Sequence, residues 1–235
     1  SRGYYPFRTT ATQVAEFESD SAKLDAFFNQ QIIAVLEKWI RLAEDRLSGS
    51  SRRCFVCPGN DDMFVIDDIV RSSQSVQLAE GDAVALGEDF SMLSTGWSNV
   101  TPWKTFRELP EPELAAKIEE MIPAGMDMGH TVFNFHCPPY GSNLDEAPEI
   151  DADLNVKDAG RSLVAVGSTA VRDAILKHQP LLSLHGHIHE SKGVARLGKT
   201  LSINPGSAYE QGVLQGAVIE LDPRKGIRNY TLTTG

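Results

Sequence analysis

The first nineteen residues show no hydrophobic rhythm; Gly3 and Pro6 fall among them, and the stretch reads as irregular and turn-prone. From Ser21 to Leu47 the rhythm becomes helical. Leu24, Phe28, Ile32, Leu36, Trp39, Ala43 and Leu47 recur at three- and four-residue spacing, which predicts one long amphipathic helix with this stripe as core. Ser48-Gly49-Ser50 ends it. The pattern then shifts to short apolar runs. Cys54 to Cys57 reads as a strand running into Pro58-Gly59-Asn60-Asp61-Asp62, followed by a short helix over about Met63 to Val70. Residues 75–97 alternate around Gly81-Asp82 and Gly87, the pattern of β-hairpins. Gly96 to Trp103 reads as an ordered loop with two aromatics, and Pro110 and Pro112 introduce a helix over about Glu113 to Ile122.

The second half carries clearer strands. Thr131 to Phe135 is one, ending at His136-Cys137-Pro138-Pro139-Tyr140-Gly141. The polar, acidic stretch 141–162 reads as a long loop of the functional kind. Gly167-Ser168-Thr169 caps a helix from about Ala170 to His178, and Pro180 stops it. His178, in the last turn, suits the helix dipole and reads as structural. Leu181 to Leu184 is a short buried strand. Gly198-Lys199 joins Val194–Leu197 to Thr200–Ile203 as a two-residue hairpin, and Val213–Leu221 pairs with Ile227–Leu232. With no internal repeat and no linker, the chain is expected to be a single α/β domain over residues 1–235.

Composition narrows the class. Hydrophobic content of 41% and charged content of 23% are those of a soluble globular protein. No apolar run is long enough for a bilayer span, and no signal-like pattern opens the sequence, so no membrane partner is expected. Three cysteines, an odd number, imply no disulfide framework and suggest a reducing, cytoplasmic setting. Within a strand, Cys54 and Cys57 point to opposite faces, which argues against both a chelate and a redox pair. The formal net charge of −10 argues against sequence-independent nucleic-acid binding. It leaves open a small phosphorylated substrate, because a bound cation reverses the local sign.

Three of the six histidines fall in His185-Gly186-His187-Ile188-His189, directly after a predicted strand. Neutral imidazole is the commonest metal ligand, and the ends of strands are where open α/β sheets place their sites. Three predicted strands each end in a potential ligand: Asn60, then His136, then His187 and His189. Imidazole with a carboxamide oxygen suits Mn, Fe, Zn or Ni better than a sulfur-rich structural site.

These motifs together resemble the calcineurin-like metallophosphoesterases. Gly59-Asn60-Asp61-Asp62 is similar to that superfamily's G-N-[HD]-[DE], His136 to its lone metal histidine, and Gly186-His187-Ile188-His189 to its G-H-x-H. Asn204-Pro205-Gly206-Ser207 is similar to the N-P-G-S turn of its bacterial and archaeal members, and the set resembles the Icc-related predicted phosphoesterase branch. The resemblance implies a four-layer α/β/β/α sandwich with mixed sheets and helices outside. It implies two divalent transition-metal ions (Mn, Fe, Ni or Zn) that activate hydroxide against a phosphomonoester or phosphodiester. Asn60, His136 and His187 would hold one metal, and His189 the other. Asp61 stands where many members carry a histidine that assists the leaving group; beside cations its carboxyl would stay ionised, and it reads as an outer residue of the catalytic site. Asp62 reads as an anchor for a metal histidine, and His185 as a hydrogen-bonded neighbour. The superfamily's D-x-H and G-D-x-x-[DNG] motifs do not precede Gly59, so the chain reads as lacking the N-terminal βαβ unit, and alone it is expected to be weakly active or inactive. Other readings are a non-catalytic interaction protein on the same fold and a mononuclear zinc hydrolase using His136, His187 and His189.

Overall fold

The computed structural model describes residues 6–235, which divide into two compact units. The first comprises residues 6–56 and 63–78, the second residues 57–62 and 79–235.

In the first unit, helix α1 (Ala11–Ser19) precedes helix α2 (Ser21–Leu47). The stretch expected to be irregular is therefore partly helical, and residues 1–5 of it lie outside the described residues. The signal was local: Thr10 accepts a hydrogen bond from the Gln13 N–H in a Thr-x-x-Gln pattern, which resembles a capping box. Asp20 separates the helices and serves both. Its N–H donates to Glu16 O, and its carboxylate accepts from Lys23 N. Phe27 packs against Phe7 and Phe17 at ring-centroid distances of 4.4 and 5.1 Å, fastening α1 to α2. Strand β1 (Cys54–Val56), helix α3 (Val65–Arg71) and strand β2 (Val76–Leu78) complete the unit, with β1 and β2 parallel. The α2 stripe divides. Leu36 and Ala43 pack beside Ile40, Val70 and Val76, whereas Phe28, Ile32 and Trp39 are exposed. Helical spacing marked an apolar face correctly but could not say how much of it is covered.

The second unit is built on a mixed six-stranded sheet. Its strands begin with β3 (Ala83–Leu86) and β4 (Phe90–Thr95), an antiparallel hairpin turning at Gly87. Short strands β5 (Ser98–Asn99) and β6 (Glu108–Leu109) pair with each other and frame the loop between them. Helix α4 (Glu111–Met121) follows, and then strand β7 (Thr131–Phe135). The region expected to be an unbroken loop instead contains β8 (Glu146–Pro148), paired with β9 (Leu163–Ala165). Helix α5 (Thr169–His178) leads to β10 (Leu182–Leu184), the hairpin β11 (Gly193–Leu197) and β12 (Thr200–Asn204), and the final hairpin β13 (Gln215–Asp222) and β14 (Gly226–Thr234).

The sheet order is β11-β12-β10-β7-β4-β3, with the four central strands parallel and both edge strands antiparallel to their neighbours. Phe133 and Phe135, two apart on β7, share one face, and their rings stack at 4.6 Å. They join Leu114 and Ile118 of α4 and Val171 and Ile175 of α5 in the main core. The two helices are tied at their starts: Glu111 of α4 accepts from Ser168 Oγ and from the N–H groups of Thr169 and Ala170. A carboxylate there satisfies orphan donors and suits the positive end of α5. At the far end, His178 meets Glu119 at 2.9 Å, the structural role its position suggested. The parallel strands therefore all end at one edge, which carries the site. Among the described residues, no helix is long and apolar enough to cross a membrane.

Candidate metal centre

Two loops at the carboxyl ends of the neighbouring parallel strands β7 and β10 meet another, residues 57–62, which follows β1 of the separate two-stranded sheet. The loop of residues 57–62 is closed by its own side chain: Asp62 Oδ2 accepts the Gly59 N–H at 2.7 Å, and Asp62 N–H returns to Gly59 O. Arg107, fully buried, clamps the same turn, its N–H to Asn60 O and its Nε to Asp62 O. Asp62 thus secures the loop that carries Asn60; among the described residues it makes no hydrogen bond to a histidine, the support expected of it. The turn must be glycine at 59, because a Cβ there would lie 2.9 Å from the His136 ring.

His136 follows β7 directly, and its N–H continues the ladder to Thr95 O at 2.8 Å. The remaining loop follows β10. His185 N–H donates to Ile203 O, and the His185 ring is held by the carbonyls of Phe135 and Cys137 and by Ser183 Oγ. It is the hydrogen-bonded neighbour expected. The chain then turns sharply: Ile188 N–H reaches Gly186 O at 2.6 Å with His187 between them at φ +61°. This is the rarer, strained hand of the three-residue γ-turn. Asn204 supports it from beneath, Nδ2 donating to the carbonyls of Gly186, Ile188 and Leu144. That contact gives the Asn204–Ser207 turn its place in the site.

These loops bring Asn60, His136 and His187 together. Asn60 Oδ1 lies 3.1 Å from His136 Nε2 and 2.9 Å from His187 Nδ1. An ion about 2.1 Å from each of its ligands separates neighbouring donor atoms by about 3.0–3.4 Å, so this spacing fits three donors on one cation. His189 stands beside the trio, close enough to act electrostatically on His136 and His187, with its ring edge-on to Tyr209 at 5.4 Å; among the described residues no hydrogen bond joins it to the three donors. Accordingly, no group of three or more His, Cys, Asp or Glu side chains is arranged for a metal among the described residues; the third donor is an asparagine. A cavity of about 200 Å³ opens beside His136, bordered by Cys57, Pro58, Asn134 and His185.

Electrostatics favour ligation. Burial, with neighbouring histidines adding, lowers His136 to about 3. Burial and then His189 lower His187 to about 4. Both are therefore neutral imidazoles that donate a ring N–H to Asn60 Oδ1, and ligation needs only that this proton move to the other ring nitrogen, with no net proton loss. His185 is lowered to about 4 by burial, against the pull of two carbonyls. The sign of the resulting linkage is definite. Between the ordinary histidine value of 6.5 and about 4 the unfolded chain binds more protons than the folded one, so stability held above 6.5 is lost as pH falls. The metal-free protein is expected to unfold at lower urea concentration at pH 5 than at pH 7. An unchanged midpoint would contradict three imidazoles held neutral by desolvation.

Asp61 is exposed on the turn. Its carboxyl is raised by partial desolvation, then by Asp62 and Glu108. A cation at the trio would pull it the other way.

The residues that sequence reasoning did not single out lie between β5 and β6. Asn60 Nδ2 donates to Thr105 Oγ1 at 2.7 Å, and Thr105 Oγ1 donates to Glu108 Oε1. Glu108 also accepts from Thr101 Oγ1 and from the N–H groups of Thr101 and Thr105. Desolvation opposes its charge, but these donors prevail and hold it at about 2. No local pattern marks this loop; only the fold places it against Asn60.

Fold and site together define a mixed α/β protein with histidines and an asparagine gathered at the carboxyl ends of the parallel strands of a mixed sheet. No family model matches the chain. It is similar to the uncharacterized protein MJ1162 of Methanocaldococcus jannaschii, 28% identical over 151 residues, which are 63% of this chain and 61% of that protein. The matched region thus spans less than two thirds of that relative's length. Among solved structures, TT1561 of Thermus thermophilus is similar with a TM-score of 0.52 and 16% identity, over 86% of this chain and 79% of that one. Another solved chain is similar with a TM-score of 0.56 and 20% identity, over 87% of this chain and 72% of that one. Both likenesses concern the fold alone.

Proposed function

We propose that the chain carries the metal centre of a calcineurin-like metallophosphoesterase, a hydrolase of small phosphate esters on a four-layer α/β/β/α sandwich. The observation that carries this reading is the convergence of Asn60 Oδ1, His136 Nε2 and His187 Nδ1 within 3.1 Å contacts at the strand ends. Together with the G-N-D-D, lone-histidine and G-H-x-H pattern, it supports a divalent cation held by these three residues, with a second one served by His189. Bound there, the metal would offset phosphate charge and supply hydroxide near neutral pH. The protein's own part is to hold the donors. Neutral imidazoles, which now donate N–H to Asn60 Oδ1, can present a lone pair to a cation by changing tautomer; Asp62 and Arg107 close the Asn60 turn, and Asn204 fixes the His187 turn.

The test is hydrolysis of an aryl phosphate by the chain and by any longer form of it, with and without added Mn, Fe, Ni or Zn. Turnover is expected only with metal; full activity after exhaustive chelation would refute the proposal. Because His189 faces Tyr209, a one-metal hydrolase built on the trio is a second reading, and elemental analysis separates one ion from two. Asp61 is not expected to be the general acid. Asp61→Asn keeps its size and removes its acid chemistry, and should lower kcat less than about tenfold, against the 10²–10⁴ of a true general acid. A loss of several orders of magnitude at unchanged metal content would assign Asp61 that role.

A further inference from the structure

We propose that Thr105 and Glu108 form a polar relay that decides which end of the Asn60 carboxamide faces the two imidazoles, making Thr105 a positioning residue for the metal. The inference rests on the metal reading above and adds residues to it.

A carboxylate only accepts, so Glu108 obliges the Thr105 hydroxyl to donate to it. That leaves the hydroxyl's lone pairs for Asn60, at 2.7 Å, and only the NH₂ end of the amide can use them. The oxygen must then face His136 and His187. Without the relay the two ends of the amide are nearly the same shape, and a half-turn about the last side-chain bond exchanges them. The exchanged amide would present N–H groups to the cation site, where they cannot ligate. The loop is built to keep the relay fixed. Both Thr101 and Thr105 give backbone and hydroxyl donors to Glu108, and Arg107, between Thr105 and Glu108, is the buried clamp on the Asn60 turn. The three candidate ligands are all neutral, so the Glu108 carboxylate, one hydroxyl behind Asn60, is also the negative charge that polarises its carbonyl toward a cation.

The experiment is calorimetric titration of the 235-residue chain with Zn, paired with the visible spectrum of its Co(II) form. Thr105→Val keeps the side chain's shape and the backbone bond to Glu108. It should weaken metal binding about 10- to 100-fold, the usual effect of removing a group behind a ligand, and shift the Co(II) bands. Thr105→Ser restores the hydroxyl and should bind within about threefold of the parent, a change of about 0.7 kcal/mol. The decisive arm is Asn60→Asp in the Thr105→Val background. A carboxylate presents oxygen at either end, so, measured against Asn60→Asp alone, the added Thr105→Val should cost less than about threefold instead of 10- to 100-fold; a merely structural role for Thr105 would cost both backgrounds alike. Should Thr105→Val fail to melt cooperatively, Thr105→Ala removes the hydroxyl without crowding and carries the same expectations. Parent-like affinity and spectrum in the hydroxyl-less variant overturn the relay while leaving the metal reading intact. A parent chain that takes up no metal overturns both.

Discussion

Replacing His187 with alanine is expected to lower metal affinity by more than about 100-fold, since even groups behind a ligand are worth 10- to 100-fold, and to remove metal-dependent turnover with it. The loss follows from geometry: among the described residues His187 Nδ1 is one of three donor atoms that converge, and Asn60 Oδ1 and His136 Nε2 alone make a weak chelate. The backbone gives this site a second signature. His187 sits at φ +61°, which a non-glycine residue holds at a cost of about 1–3 kcal/mol. His187→Gly removes the same ligand but relaxes the turn, so it should be more stable than His187→Ala by about 1 kcal/mol while binding metal no better. Urea denaturation of the pair reads the strain, and calorimetry reads the ligand. Equal metal affinity in the parent and His187→Ala would remove this residue from the site.

Asp145→Ala is expected to be the most damaging substitution for stability, by about 3 kcal/mol, a large share of the 5–15 kcal/mol that holds a domain folded. Asp145 is completely buried, and its carboxylate accepts the N–H groups of Gly141, Ser142 and Gly167 at 2.8, 3.1 and 3.0 Å. Alanine would orphan all three donors, each at about 1–3 kcal/mol unless water reaches it. Asp145→Asn keeps one acceptor and should lose about half as much. The loop concerned follows His136 in the chain, and Ser191, two residues beyond His189, bonds Glu146 beside it. Loosening should therefore reach the histidine turns as well. A fall in the urea midpoint worth less than about 1 kcal/mol would show that Asp145 is not the keystone its contacts imply.

Much of the fold was legible where a signal is local. The strand Thr131–Phe135 and the helix Ser21–Leu47 match their apolar patterns residue for residue. Gly198 marked the β11–β12 hairpin through the positive φ it adopts. What sequence could not give was partnership. Alternation around Gly81 suggested hairpins, yet β2 pairs in parallel with β1 because pairing is decided by what lies alongside in space. The α2 stripe named an apolar face without naming what covers it, and the short α1 was hidden by a weak rhythm although its Thr10-x-x-Gln13 cap was written in the chain. The site divides in the same way. His136 and His187 stood at strand ends and Asn60 in a glycine turn, all visible in order. Thr105, Arg107 and Glu108 lie 45 to 48 residues beyond Asn60 in a loop with no pattern of its own, and only tertiary structure brings them to it. His189 follows the same turn two residues on and stands near both histidines, with its ring against Tyr209.

The most direct test of the central claim is metal uptake at the trio itself. The chain, stripped by chelation and dialysed, is titrated with Zn beside His187→Ala, His136→Ala and Asn60→Ala, each first checked for cooperative unfolding. The account predicts a saturable site in the parent that each of the three substitutions removes or weakens more than about tenfold, with His185→Gln, which alters a neighbour outside the donor set, affecting it less. A folded parent that binds no metal, or binding that survives all three substitutions, would contradict it.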